Sequence, residues 1–545
     1  MNVAPRFRIL HPYTPRVNDL QHRLLRLLVA AAVLFMAVFL GLVVAILPID
    51  FLIIPLVPVI FLAMMVLWAA PDIDPELDRP IRILFLATIL FTVTWPHYIA
   101  FPAPGIGFVT PARLSIYILA ILFLFALATS KRIRTVIAQA LDTAPVTKWA
   151  FIGLFALQLL LVIVTFNFSS RWMNAQAYWY LMFLMAIMAG SYQGMPRLFA
   201  IMLLVSVPII GGMAFWEYSY RYKVWMPWVP EFLRGDPKLW ANMLSGARRA
   251  GTDQYRASGI LLTSVTIGEY IGMLWPFVVF AALRWLKGWG RLLGLGLFFF
   301  LILALIAAGS RTGFVGAIVS SGVLFGLWAL RRWKTHGPRR DLVGPAALWA
   351  YPAGAFVVVM AVLFVGRIRA MVLGSGQHKA SDNARAVQWE RTWDQLMQNP
   401  FGSGPFTAQS RIQYFNKAGV PTTDGYYMNL LMDYGVLGAL LFIILFLSAA
   451  WYAGRTYIRS SNADEEVGGP IAAALVAFLF SKYALSQTEL QHIAFAMAGI
   501  SVALAWRQAE RLKSQPRPVT TQRKPVRARG PLPVPGRRPT GPRLA

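Results

Sequence analysis

The chain has 545 residues, of which 57% are hydrophobic and only 14% charged, with no cysteine and a formal net charge of +28. Soluble domains carry about 25% charged residues, so a single soluble core of this size is excluded and a bilayer protein is expected. The missing cysteines exclude disulfides, thiolate zinc sites, iron–sulfur clusters and cysteine nucleophiles together.

Residues 1–25 are polar and basic and form a cytoplasmic N-terminal segment. The apolar run that follows is long enough to span and lacks a small-residue cleavage site, so it reads as a retained helix. A spanning helix needs about 20 apolar residues, and roughly fourteen runs meet that length. Their limits are 26–48, 51–70, 82–100, 112–129, 148–167, 174–190, 198–217, 259–283, 291–308, 312–330, 345–366, 426–452, 468–487 and 490–506. The expected fold class is an all-α polytopic membrane protein, with its transmembrane domain over 26–506.

Lys and Arg in short loops set orientation. The basic loops alternate with loops almost free of positive charge. Arg79 and Arg82, then Lys131, Arg132 and Arg134, then Arg284, Lys287 and Arg291, then Arg331, Arg332 and Lys334 fall on the side of the N-terminus. That side is read as cytoplasmic, and an even count of spans returns the C-terminus to it. The last segment, 507–545, is basic and proline-rich and is expected to be disordered. It fits an orientation signal touching anionic headgroups, or a docking tail. With the positive charge in loops and tail, no nucleic-acid partner is expected.

Two long loops, 218–258 and 367–425, are expected on the periplasmic face, and both are basic against the orientation rule. Long loops tolerate such charge, and a basic external surface also suits an anionic substrate. Three constellations lie there. The turn Gly309-Ser310-Arg311-Thr312-Gly313 joins two long apolar runs. An arginine so close to hydrocarbon either snorkels or meets an anion, and guanidinium can grip phosphate oxygens with two parallel hydrogen bonds. The segment Tyr255-Arg256-Ala257-Ser258-Gly259 enters a helix from the same side. The second long loop carries an amphipathic stretch over 383–398 with Arg385, Trp389 and Trp393, then the turn Asn399-Pro400-Phe401-Gly402-Ser403-Gly404. It ends in Asp424-Gly425-Tyr426-Tyr427-Met428-Asn429.

These pieces resemble the O-antigen ligase and polymerase superfamily of bacterial envelope glycan assembly, over about residues 240–455. The resemblance rests on four motifs: Arg-x-x-Gly at Arg256 and Gly259; Ser-Arg-Thr at Ser310 and Arg311; Asn-Pro-x-Gly-x-Gly at Asn399 to Gly404; and the helix start with Asn429, Met432 in place of leucine, Gly435 and Gly438. It implies an inner-membrane glycosyltransferase of GT-C-like fold, working without metal or cofactor. Such enzymes transfer glycan from undecaprenyl diphosphate to a sugar hydroxyl on the periplasmic face. Arg256 and Arg311 would hold the diphosphate, with Arg248, Arg249 and Arg385 as further contacts. Family ligases place a histidine just before the Asn429 helix. This chain has Asp424 there, which favours a polymerase of lipopolysaccharide or exopolysaccharide repeats over a ligase that passes finished glycan to lipid A core or protein. Partners are then lipid-linked oligosaccharide, membrane lipids and a chain-length regulator.

Asp424 is either the acceptor's base or a helix N-cap, and His378 is the reserve base. No histidine pair has ligand spacing, so no metal is expected. The substrate-binding set is completed by Gly402, Gly404, Tyr426, Asn429 and Lys482. For Lys482 snorkelling or a phosphate contact is expected, and for Glu269, near mid-bilayer, an arginine partner or a neutral form. Two other readings are a phosphosugar transferase using Asp50 and a lipid-linked glycan flippase or transporter.

Overall fold

The computed structural model describes residues 77–103, 107–167, 175, 177–244, 255–336, 342–364, 366, 379–415 and 421–514. The expected spans 26–48 and 51–70, with Asp50, Arg248, Arg249, His378 and the chain beyond Ser514, lie outside the described residues.

Helix α1 (Asp78–Thr94) stops because Pro96 forces the preceding Trp95 out of the helical region, to ψ 131. A short antiparallel hairpin follows, β1 (Phe101–Ala103) with β2 (Gly107–Val109), pairing Phe101 with Val109. It adds a small strand element to an expected all-α chain. Thr110 caps α2 (Pro111–Thr129) by accepting from the Arg113 amide. The basic loop expected next is instead a helix, α3 (Lys131–Thr143). Its Ile133, Ile137 and Ala140 recur at helical spacing and are buried, while Lys131 and Arg132 face outward.

Over the next expected spans lie α4 (Pro145–Thr165), a shorter α5 (Met182–Ser191, entered by a wide turn over Ala177–Leu181) and α6 (Met195–Tyr220). The first long loop holds two single turns and α7 (Pro237–Leu244). The eighth expected span begins later than 259. Residues 259–263 form an irregular entry, and α8 (Ser264–Phe280) starts only where Thr263 accepts from the Thr266 amide. Then come α9 (Gly290–Ala308), α10 (Arg311–His336) and α11 (Val343–Phe364). The second long loop contains the expected amphipathic helix, α12 (Lys379–Gln398), and a short α13 (Ala408–Ile412). The described residues end in α14 (Tyr426–Ile458), α15 (Ala463–Glu466), α16 (Gly468–Ser481) and α17 (Gln491–Ser514). Helix α17 continues past the expected boundary at 506, so Arg507 and Arg511 are helical and ion-paired rather than part of a disordered tail.

Seven of the described helices are long and apolar enough to cross a membrane: α2, α4, α6, α8 with its following turn, α9, α10 and α14. Rings of Phe183, Phe446, Phe478 and Phe495 are fully buried at the centre. Helices α8 and α10 approach so closely that a Cβ on Gly272 would sit 3.1 Å from Gly316 Cα, and one on Gly313 would sit 3.1 Å from Gly268 Cα. Hydrocarbon offers no hydrophobic drive between helices, so small residues that let backbones meet supply the packing.

The two ends of the bundle are chemically distinct. One end gathers the basic short loops around an acidic helix: Glu466 pairs with Arg284 (3.1 Å) and Arg331 (2.8 Å), Asp464 with Arg507 (2.9 Å), and Glu465 with Arg511 (3.1 Å). The other end carries both long loops.

Candidate active site

At the long-loop end, Gly309 closes α9 in the left-handed region (φ 54) and Arg311 opens α10 two residues later. Arg256 lies against this turn. The Ala257 amide donates to the Ala307 carbonyl at 2.9 Å, and Arg256 Nε donates to the Ala308 carbonyl at 2.9 Å. The structure therefore brings the two expected clamp arginines onto one turn, and both side chains stay partly exposed. Beneath them Ser310 is buried, its hydroxyl 2.6 Å from Thr312 Oγ1.

The Arg256 segment is fixed by a buried network that sequence reasoning missed. Glu217, at the end of α6, accepts from Tyr255 Oη (2.7 Å), the Ser258 amide (3.3 Å) and the Gly259 amide (2.6 Å). Lys223 Nζ donates to Glu217 (3.2 Å), to Ser258 Oγ (2.7 Å) and to the Gly259 carbonyl (2.6 Å). Tyr98 Oη also donates to the Gly259 carbonyl, at 3.1 Å, and accepts from Trp225 Nε1. A buried ion pair is tolerable when its remaining lone pairs and protons are satisfied, and here every bond ends on the Arg256 segment or its supports. Burial pushes the Lys223 ammonium pKa down, and Glu217 opposes that. A glutamate closing an apolar run six residues before a lysine was the available signal.

The Asn399–Gly404 turn is spliced into a break in α14. Gly435 there has φ 67 and ψ −171. Ser403 and Gly404 amides donate to the carbonyls of Met432 (2.8 Å) and Asp433 (3.0 Å), and the Val436 amide donates back to Pro400 (3.2 Å). Gly402 (φ 90) and Gly404 (φ 95) take backbone shapes that side chains disfavour. A Cβ on Gly402 would meet the Asp433 carbonyl at 2.6 Å, and one on Gly404 would meet Thr165 Oγ1 at 2.6 Å. Both glycines, expected to bind substrate, have this jointing role in the fold. Asp433 completes the joint by accepting from the Thr407 and Ala408 amides, each at 2.9 Å.

At the start of α14, the N-cap is Gly425 and no side chain caps the helix, which corrects the N-cap alternative for Asp424. Asp424 is partly exposed, and its amide donates to Gln388 Oε1 of α12 at 2.8 Å. Arg385 lies on α12 one turn before Gln388 and is partly buried. Asn429 Oδ1 accepts from Thr423 Oγ1 at 2.7 Å. Tyr426 is buried, and its amide donates to the Lys482 and Leu485 carbonyls. Lys482 differs from expectation. It is fully buried, its Nζ stands 2.7 Å from Glu269 Oε1, and it donates to the Gln487 carbonyl at 2.6 Å. It does not snorkel, and the partner of Glu269 is this lysine rather than an arginine.

One further carboxyl links the two halves. Glu489, in the connection between α16 and α17, accepts from the Leu262 amide at 3.1 Å, just after the Arg256 segment. Burial pushes its pKa up to about 7, against hydrogen bonds from Thr266 and Leu262 and the charges of Lys482 and Lys223. Sequence reasoning passed over it, although an acid between two apolar runs on this face was visible.

The fold is that of a multi-pass helical membrane protein. Residues 296–443 match the family described as O-antigen ligase. The matched stretch contains Arg311, the Asn399–Gly404 turn, Asp424, Asn429 and Gly435, and Arg256 lies before it. The resemblance to the O-antigen ligase and polymerase superfamily is thus shown over this stretch. Curated proteins give no match.

Proposed function

We propose that the protein is an inner-membrane glycan polymerase. It transfers glycan from undecaprenyl diphosphate to a sugar hydroxyl of a lipid-linked repeat unit on the periplasmic face. The observation that carries this reading is the pair of partly exposed arginines on one turn, Arg256 tied to Ala308 and Arg311 three residues further on. The diphosphate gains charge as the glycosidic bond breaks, so fixed guanidinium groups stabilise the transition state more than the ground state. Arginine keeps its proton in proteins and acts as a clamp, not a base. Asp424, free of a capping role, is the first candidate to take the acceptor's proton. Glu489 offers a second carboxyl with a pKa near neutrality, where a general base works best. Attack opposite the leaving group inverts the anomeric centre.

The test is the length distribution of lipid-linked and surface glycan in cells carrying Arg256→Ala or Arg311→Ala, with membrane levels of the protein measured alongside. Each variant is expected to lower chain growth by about 100-fold or more, the usual cost of one preorganised charge-stabilising group, leaving single repeat units. Normal chain length in both would refute the clamp. The name of the matched family favours a second reading, ligation of finished glycan. Full-length polymer stranded on its lipid carrier would select it.

A further inference from the structure

A groove of about 720 Å³ lies between α10, α14 and α16, at the opposite end of the bundle from Arg256 and Arg311. Helices α10 and α14 both start at the long-loop end, and the groove is lined by their second halves: Val323 to Lys334 on α10 and Leu447 to Ile458 on α14, with Arg459 just past its end. Its floor is apolar, closed by Ala472 and Val476 of α16. Its outer wall is open, since Leu447 is 53% and Trp451 69% exposed. Its far end carries three exposed cations, Lys334, Arg455 and Arg459. Among the described residues no carboxylate pairs with any of the three, whereas their neighbours Arg284 and Arg331 share Glu466.

Length and charge together specify an occupant. The eleven steps along α10 from Val323 to Lys334 rise about 17 Å, close to half of the roughly 30 Å hydrocarbon core. The groove therefore runs the depth of one leaflet, with apolar walls where acyl chains lie and cations where headgroups lie. A slot that is apolar along one leaflet, open sideways and positive at its mouth matches a phospholipid with an anionic headgroup. A soluble anion would leave the apolar length empty, and a zwitterionic lipid would leave the cations uncompensated. Trp451, on the open wall, covers the chains from the side.

We infer that this groove is a binding site for one anionic phospholipid in the leaflet away from the glycan-transfer site, held by Lys334, Arg455 and Arg459 at the headgroup and by the α10, α14 and α16 faces along its chains. The site is independent of the transfer reaction, so its test does not depend on activity.

The experiment uses the full chain purified in detergent and titrated with phosphatidylglycerol or phosphatidylcholine, bound lipid being counted by native mass spectrometry. One phosphatidylglycerol is expected to bind at least tenfold more tightly than phosphatidylcholine. Each of Lys334→Gln, Arg455→Gln and Arg459→Gln is expected to weaken it about fivefold, the equivalent of roughly 1 kcal/mol per cation. A second measurement needs no charge variant. Phosphatidylglycerol brominated on its acyl chains should quench tryptophan fluorescence in the wild type and quench measurably less in Trp451→Phe. Equal binding of the two lipids, or quenching unchanged by Trp451→Phe, would overturn the proposal.

Discussion

Lys482 and Glu269 face each other at 2.7 Å with no exposure of either side chain. Removing one partner of such a pair strands the other charge, at a cost of about 3–5 kcal/mol, whereas replacing both with apolar groups is close to neutral. Lys482→Met is therefore expected to lower the thermal midpoint of the detergent-purified protein sharply, and Lys482→Met with Glu269→Leu to restore it. A double variant as unstable as the single would show that the lysine's bond to the Gln487 carbonyl, and not its pairing with Glu269, carries the stability.

Glu489 makes a pH-dependent contribution. Its carboxyl is raised from 4.5 to about 7 by burial, so between those values the folded chain holds a proton that the unfolded chain has released. Stability then falls as pH rises through that window. Glu489→Gln stays neutral and keeps an acceptor for the Leu262 amide. Its thermal midpoint should gain on the wild type between pH 5 and pH 8, and an offset independent of pH would contradict this.

At the scale of elements, the break in α14 is the joint on which the second loop depends. Gly435 sits at φ 67 and ψ −171, a region almost closed to other residues and worth about 1–3 kcal/mol of strain when forced. A Cβ there would also meet Phe401 Cα at 2.8 Å. Gly435→Ala is expected to destabilise the protein by at least that amount, read as a fall in the thermal midpoint. It should also free the Asn399–Gly404 turn, read as faster protease cleavage in the second loop. Unchanged cleavage would mean that the turn holds itself. The same element explains a mixed outcome for prediction. The alternation of glycine and proline marked a turn, but not that the turn is hydrogen-bonded to a helix about thirty residues further along the chain.

For the whole molecule, the orientation read from Lys and Arg has a matching structural division. The short basic loops meet the acidic α15 at one end, and both long loops meet at the other. Because the chain has no cysteine, single introduced thiols report sidedness cleanly. Ser410→Cys in the second loop should react with a membrane-impermeant maleimide in intact spheroplasts, and Thr335→Cys at the end of α10 only after permeabilisation. The reverse pattern would invert the topology and move glycan transfer to the other face.

The sequence by itself determined the class of molecule and the motifs that carry its resemblance. Each rests on local physics: a hydrocarbon slab demands runs of fixed length, short loops report charge, and glycine or proline marks a turn wherever it occurs. Some expected limits, such as 112–129 against Pro111–Thr129, were close for that reason. The neighbours Arg256 and Arg311 were placed on a common face but not on a common turn, because that contact joins segments about fifty residues apart. The tertiary structure alone decided which charges are partners and which are available. Lys482 and Lys223 look alike in the chain, as cations beside apolar runs. Only packing supplies Glu269 to the first and Glu217 to the second.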